Sequence, residues 1–306
     1  MYKRQVKTHT HQLSYIMRYP FDQVRSLTTT VNVRNDRSVF LSTGPYTLAR
    51  PDENKVWAGL KLEYIHDNTR HLGLNLYSGL RYKIFAEFYE QVYDDYNELI
   101  VFGADVRHYT RIHRNLIWAN RVAWSSSQGS SRIIYYLGGV DNWINLTPNK
   151  NPTFIPFSEI SINTKQNYAY QAVGTNMRGF SQNIRNGNNF AVFNSEIRFP
   201  VIKYLANYPM SNSFLENFQL IGFFDVGTAW SGPTPWAGEN AYDNDVIVSG
   251  PITITIDADR DPIVAGYGFG LRSKLLGYFI RLDWAWGIEN YQLLPRIFYF
   301  SMSLDF

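Results

Sequence analysis

Phe298-Tyr299-Phe300-Ser301-Met302-Ser303-Leu304-Asp305-Phe306 ends the sequence. Phe298, Phe300, Met302, Leu304 and Phe306 alternate there with Tyr299, Ser301, Ser303 and Asp305. A period of two belongs to a β-strand, whose successive side chains point to opposite faces of a sheet. Sandwich strands in water alternate too, but rarely with so many large apolar groups on one face. A strand with lipid outside and a polar lumen inside fits better. All five apolar residues are therefore expected to face lipid.

The same reading extends towards the N-terminus. In 278–286, Tyr278, Ile280, Leu282, Trp284 and Trp286 oppose Arg281 and Asp283. In 265–272, Ala265, Tyr267, Phe269 and Leu271 oppose Gly266, Gly268, Gly270 and Arg272. In 189–199, Phe193, Ile197 and Phe199 oppose Asn194, Glu196 and Arg198. In 72–88, Leu72, Leu74, Leu76, Leu80, Tyr82, Ile84 and Phe88 oppose Asn75, Arg81, Lys83 and Glu87. Charges opposite the apolar stripe suit a watery lumen and not a dry sandwich core.

About eleven strands are expected, near 8–19, 25–42, 55–67, 71–92, 97–109, 114–126, 189–199, 217–230, 264–274, 277–288 and 296–306. Their connections alternate between short (20–24, 68–70, 110–113, 275–276) and long (43–54, 127–188, 231–263), the habit of an outer-membrane barrel. Connection 200–216 is longer than that habit predicts, and Ser213–Glu216 has room for one helical turn. No repeat, charge run or linker divides the sequence, so residues 1–306 are read as one transmembrane antiparallel β-barrel domain. An odd strand count cannot close with antiparallel pairs alone, and unpaired backbone groups in lipid are costly. The expectation is that N-terminal strands of the barrel are missing. Residues 1–12 are basic without an apolar core, so they are not a secretory signal.

Composition narrows the function. Charged residues are 18% of 306, hydrophobic ones 45% and aromatic ones 16%. No apolar run reaches the length of a membrane helix, and the hydrophobic content argues against disorder. Absence of cysteine removes thiol catalysis, disulfides and cysteine–zinc sites. The net charge of +3 is spread out, which gives no nucleic-acid footprint.

Several segments carry more specific information. Met177-Arg178-Gly179-Phe180 lies in the longest connection, with Gly138-Gly139 upstream of it. Phe224-Asp225-Val226-Gly227-Thr228-Ala229-Trp230 follows, then Gly268-Phe269-Gly270-Leu271-Arg272, Arg281-Leu282-Asp283 and the terminal Phe306. Tyr19-Pro20-Phe21-Asp22 and Asp67-Asn68-Thr69-Arg70 look like short turns. In this order the segments resemble BamA/TamA-type outer-membrane protein assembly factors, the bacterial surface antigen family. The resemblance covers roughly the last eleven of that family's sixteen strands. It implies a barrel with periplasmic POTRA domains before it, and a gate whose one lip is the last strand (Phe298, Phe300, Met302, Leu304, Phe306). It also implies a loop folded into the lumen, with Arg178 on the inner wall.

Asp225 is the preferred partner of Arg178, because a guanidinium forks onto a carboxylate and stays charged when buried. Arg272 and Asp283 are further wall residues. Gly227, Gly268 and Gly270 are expected to leave room for the loop backbone. Trp118, Trp124, Trp230, Trp284 and Trp286 are read as interfacial girdles, with a sugar platform at Trp230 and Trp236 as the lesser reading. Asp257, Asp259 and Asp261 alternate like half a calcium loop but lack its glycine and distant glutamate, so no metal or cofactor is assigned. His108 and His113 flank a short turn without a catalytic motif around them.

The leading expectation is a non-enzymatic barrel that inserts or translocates outer-membrane polypeptides. Its partners would be lipid, unfolded polypeptide clients and periplasmic or lipoprotein accessory subunits. A passive channel lined by Arg81, Lys83, Arg272 and Arg281 is the alternative, as is a membrane anchor for a larger multidomain protein.

Overall fold

Aspartates set two of the short turns of the wall. The Asp22 Oδ1 atom accepts from the amides of Val24 at 2.8 Å and Arg25 at 2.7 Å. Those amide bonds, Val24 foremost, and the Arg25 guanidinium hold the Asp22 carboxyl below its ordinary range. In the next turn, Asp67 Oδ1 accepts from the Thr69 amide at 3.0 Å and hydroxyl at 2.6 Å. Such local bonds fix reversals between strands. The computed structural model describes residues 5–41, 51–93, 96–144, 162, 167–206, 211–237, 240, 242, 244–249, 252–257 and 260–306.

In chain order the elements are β1 (Gln5–Pro20), β2 (Arg25–Leu41), β3 (Glu53–Asp67), β4 (Arg70–Gly73), β5 (Leu76–Gln91), β6 (Glu98–His113) and β7 (Leu116–Gln128). Then come β8 (Arg132–Leu137), β9 (Tyr168–Val173), β10 (Arg185–Gly187), β11 (Asn189–Phe199), the short helices α1 (Val201–Leu205) and α2 (Ser213–Glu216), and β12 (Gln219–Trp230). The last are β13 (Asn244–Ser249), β14 (Ile252–Asp257), β15 (Val264–Leu275), β16 (Tyr278–Glu289), β17 (Gln292–Leu293) and β18 (Ile297–Met302).

Long strands pair in the order β1-β2-β3-β5-β6-β7-β11-β12-β15-β16-β18, each antiparallel to its neighbour, with short β4 on β5 and β17 on β16. The architecture is the antiparallel barrel wall read from the sequence. It is open: among the described residues no ladder joins β1 to β18. Two of the long connections hold strands of their own. β8 pairs antiparallel with β10 and parallel with β9, and β13 pairs with β14.

The expected strand 71–92 is two strands. Asn75, at φ 61°, makes the reversal between β4 and β5, whose pairing carries an irregularity between His71 and Gly73. Ile84 and Phe88 remain on the exposed face, but Leu76 is buried with Tyr109, Ile117, Ala119 and Phe306. Leu72, partly buried, packs against the same cluster. Phe306 is the second correction. The ladder stops at Met302, Asp305 takes φ 63°, and Phe306 turns inward to within 4.9 Å of the Arg198 guanidinium. Phe298, Met302 and Leu304 are exposed and Phe300 is half-buried, so the stripe holds until the backbone reverses.

The interior is drier than the alternation implied. Ile133, Tyr135 and Leu137 of β8, together with Met177, Phe180 and Ile184, form one buried cluster with Trp57, Leu99, Val101, Ala123, Val192, Ala229 and Val264 of the wall. These described parts of the connection between β7 and β11 thus pack against the inner face of the sheet. Outside, Phe269 stacks on Trp284 at 5.4 Å, and Trp284 meets Phe298 at 5.2 Å. These are cross-strand partners, the pairs that stabilise a sheet face. Trp118, Trp124 and Trp236 are exposed, whereas Trp230, Trp284 and Trp286 are half-buried. No described helix is long and apolar enough to cross a membrane.

Val122, half-exposed in mid-β7, tests what the outer face meets. Val122→Arg should destabilise the folded protein in bilayers by about 2–4 kcal/mol, the penalty for a cation on the lipid face of a barrel. On a water-facing strand the change would be within about 0.5 kcal/mol. Urea titration in lipid vesicles distinguishes the two.

An arginine-bearing loop on the inner wall

Strand register builds the site. Asn194 stands opposite Asp225, Asp225 opposite Gly266, and Gly266 opposite Gly287, so four neighbouring strands contribute one row. Two residues along β11, Glu196 points inward as well and is fully buried. The row offers carboxylates on one side and a floor without side chains on the other.

The loop lies across this floor. Gly138 and Gly139 have φ 118° and 79°, which lets the chain turn sharply where it leaves β8. The Gly139 amide donates to Phe180 O, and the Met177 amide donates to Gly139 O, both at 3.0 Å. The double glycine and the Met177-Arg178-Gly179-Phe180 segment are therefore brought together. Gly179 has φ 95°, and a Cβ there would press on the Trp286–Gly287 backbone.

Arg178 is buried and uses its whole fork. Its Nε and Nη2 donate to the two Asp225 oxygens at 2.7 Å each, and Nη1 donates to Glu196 Oε1 at 2.6 Å. Its backbone amide also donates to Asp225, at 3.2 Å, and its guanidinium lies 3.8 Å from the centre of the Phe223 ring. Asn194 Nδ2 donates to Asp225 Oδ1 at 2.9 Å. The geometry is bidentate and charge-assisted, the strong form of such a pair.

Glu196 is the residue that sequence reading left unassigned. Besides Arg178, it accepts from Arg272 Nη2 at 2.7 Å, Arg272 Nη1 at 3.0 Å and Arg198 Nε at 2.9 Å. Its inward phase beside Arg198 was legible, but its other two cation partners, Arg178 and Arg272, come from the loop and from β15. Tyr299 was also missed, because it was counted simply as part of the polar face of the last strand. Its hydroxyl accepts from the Gly179 amide at 3.0 Å and donates to Phe180 O at 2.6 Å. The last strand therefore holds the loop directly.

The glycines need correcting. The loop backbone approaches Gly266 and Gly287: a Cβ at Gly266 would overlap Arg178 O, and one at Gly287 would lie 2.6 Å from Gly179 O. A Cβ at Gly227 would meet Val192 and Ala191 of the wall first, with the Met177 sulfur of the loop at 3.5 Å. Gly268 lies under the Phe223 ring and Trp284 O, and Gly270 beside the Asp283 carboxylate. Among the described residues, Arg272 and Asp283 make no hydrogen bond or ion pair with the loop; Arg272 serves Glu196. Asp283 is buried, 3.6 Å from Arg281 and 4.0 Å from Arg272.

A second ionic knot sits at the short-turn end. Asp305 accepts from Arg81 at 2.7 Å, Arg107 at 2.8 Å, Arg198 at 2.8 Å and the Tyr109 hydroxyl at 2.5 Å. The residues after β18 thus reach across the interior to β5, β6 and β11.

Other flagged residues stay apart from this centre. His113 Nδ1 lies 2.8 Å from the Tyr204 hydroxyl, and His108 lies 3.5 Å from Thr110 Oγ1. No group of metal-ligating side chains occurs among the described residues. Asp259 and the Asp257 side chain lie outside the described residues. What the centre can do is hold: it clamps a loop to β11 and β12 through paired, buried charge and lays its backbone on the glycines of β15 and β16.

Comparison with known proteins agrees with this architecture. A family model, the Omp85 superfamily domain, matches residues 135–306, more than half of the chain. Among solved structures, BamA from Haemophilus ducreyi lacking POTRA domains 1–3 is similar at 12% identity with a TM-score of 0.57, over 97% of this chain and 55% of that one. CdiB from Acinetobacter baumannii is similar at 13% identity with a TM-score of 0.48, over 98% of this chain and 42% of that one. The chain spans about half the length of these structures. No curated protein sequence matches it.

Proposed function

Because the chain belongs to the Omp85 superfamily, we propose that it forms the C-terminal barrel portion of an outer-membrane protein that inserts or translocates outer-membrane polypeptides. No covalent chemistry is assigned to it. Its partners are lipid on the outer face, an unfolded polypeptide client at the β18 edge, and accessory periplasmic or lipoprotein subunits. The observation that carries this reading is the Tyr299 bridge to Gly179 and Phe180. It ties the edge strand, where a client would add by β-augmentation, to the loop that Arg178 clamps. Movement of the edge is then coupled to the state of the loop.

The passive-channel reading is weaker on physical grounds. Arg272 and Arg281, two of its four lining cations, are buried, Arg272 on Glu196 and Arg281 beside Asp283. A buried, paired guanidinium does not attract ions from solution.

The test is reconstitution of the full-length protein in lipid vesicles, followed by addition of a urea-unfolded outer-membrane barrel client. Folding of the client should be faster than in empty vesicles, read by its heat-modifiable migration in gels. Equal rates with and without the protein would remove the assembly reading. Large steady conductance without client folding would put the channel in its place.

A further inference from the structure

The connection between β11 and β12 is longer than a short turn needs, and both of its helices lie against the outside of the wall. Phe199, Leu220, Leu271 and Leu282 are successive cross-strand partners and form one row of the outer apolar face. The Tyr204 ring of α1 packs edge-on against Phe199, with centroids 5.0 Å apart. Ser273 stands two residues past Leu271, in the outward phase of β15, opposite Ile280. It is nevertheless buried, because α2 covers it: its hydroxyl donates to Phe214 O at 2.6 Å. The Asn212 side chain starts α2 by accepting from the amides of Phe214 at 2.9 Å and Leu215 at 3.3 Å. The neighbouring turn holds α1, with His113 Nδ1 2.8 Å from the Tyr204 hydroxyl and Arg114 Nη1 donating to Tyr204 O at 3.2 Å. This placement leaves apolar side chains outside. Leu205 is 71% exposed, and Phe214, Leu215, Leu276 and Tyr278 are exposed as well. Charge on the same rim is of one sign. Over 110–115, 199–218 and 273–278 the sequence carries Arg111, Arg114, Lys203 and Lys274 against a single carboxylate, Glu216.

We propose that α1 and α2 form a foot that seats in the headgroup layer of the leaflet on the short-turn side and binds anionic phospholipid there. Leu205, Phe214 and Leu215 dip towards the acyl chains, while the exposed Arg111, Arg114 and Lys274 meet the headgroups. Segments that lie in a membrane interface combine these two features, apolar side chains below and cations at headgroup level. Lysine and arginine near an anionic lipid surface are attracted to it. A lipid surface fits this patch better than a protein partner does. The patch continues the outer row of Phe199, Leu220 and Leu271, and α2 covers the outward side of β15 at Ser273. A protein docked beneath the barrel would meet the tips of the turns and not that side. The foot rests on the bilayer placement in the function proposed above; it does not rest on transport.

The chain has no cysteine, so Leu215→Cys carries a single environment-sensitive fluorophore. The protein is folded into vesicles of phosphatidylcholine with a minor share of phosphatidylglycerol. A lipid nitroxide placed high on the acyl chain, close to the headgroup, should quench this label more than one near the chain end. Aqueous iodide should quench it weakly. Strong iodide quenching without lipid quenching puts α2 in water and overturns the proposal. Shielding from iodide and from both nitroxides shows a protein cover and overturns it too. The high nitroxide on phosphatidylglycerol should quench at least about twofold more than the same group on phosphatidylcholine. That preference should vanish in Arg111→Gln/Lys274→Gln and at high salt, which screens exposed charge. Equal quenching by the two lipids, or a preference unchanged in the charge variant, overturns the anionic-lipid site. Val122→Cys, labelled in the same way in mid-β7, reads the barrel itself, and the chain-end nitroxide should quench it most. If label 122 escapes every lipid nitroxide, the bilayer placement behind the proposed function falls. If label 122 is quenched and label 215 is not, the foot alone falls.

Discussion

Replacing Arg178 with alanine is expected to destabilise the folded protein by about 3–5 kcal/mol, because it breaks a buried ion pair from one side only. The side chain is buried, so water does not take over its role. Asp225 would lose two charge-assisted bonds at 2.7 Å, and Glu196 would lose one at 2.6 Å. Asp225 would keep the Asn194 amide and the residue 178 amide, neither of which neutralises it. Release of the loop should follow, since the clamp is what draws Gly179 and Phe180 onto Tyr299. Arg178→Lys should lose less, but well over half the effect should remain. A lysine is a point charge and cannot fork onto Asp225 while also reaching Glu196. The measurement is the temperature at which the folded band converts to the unfolded one in gel electrophoresis, with proteolysis of the 139–180 segment as a second readout. Wild-type conversion temperature and wild-type protease resistance in Arg178→Ala would sink the clamp.

The parts of this molecule that were legible in the sequence are those that a period of two encodes. Phe193 and Ile197 against Asn194, Glu196 and Arg198 sort to the two sides as expected. Alternation says which side a residue faces and nothing about what fills that side. It therefore implied a watery lumen where Ile133, Tyr135 and Phe180 pack against the wall. Nor does it see backbone reversals held by distant residues. Phe306 follows the stripe in sequence but turns inward, because Asp305 is captured by Arg81, Arg107 and Arg198 from three other strands. The loop motif pointed to the Arg178–Asp225 contact. The glycines beneath the loop were placed one and two inward positions too far along β15, at Gly268 and Gly270 in place of Gly266 and its partner Gly287, because only cross-strand register fixes which positions face Asp225.

Glu196→Gln should be more damaging than Arg178→Ala, by the same physics applied to a hub. One carboxylate receives Arg178, Arg198 and Arg272, and all four side chains are buried. Glutamine keeps the shape and removes the charge, and its amide nitrogen would point a donor at a donor. Arg198 would retain Asp305 at 2.8 Å, and Arg178 would retain Asp225. Arg272 would be left with Asp283 at 4.0 Å, too far for a hydrogen bond, and Arg281 also lies beside that carboxylate. An uncompensated buried guanidinium of this kind is expected to destabilise by about 5 kcal/mol, the upper end for broken buried pairs. The double variant Arg178→Ala/Glu196→Gln separates a hub from independent contacts. In a hub the first substitution already removes part of what the second would break, so the combined loss in urea titrations should fall short of additivity by about 0.5–3 kcal/mol. Strict additivity would mean that Arg178 and Glu196 act separately, and that the loop is held by Asp225 alone.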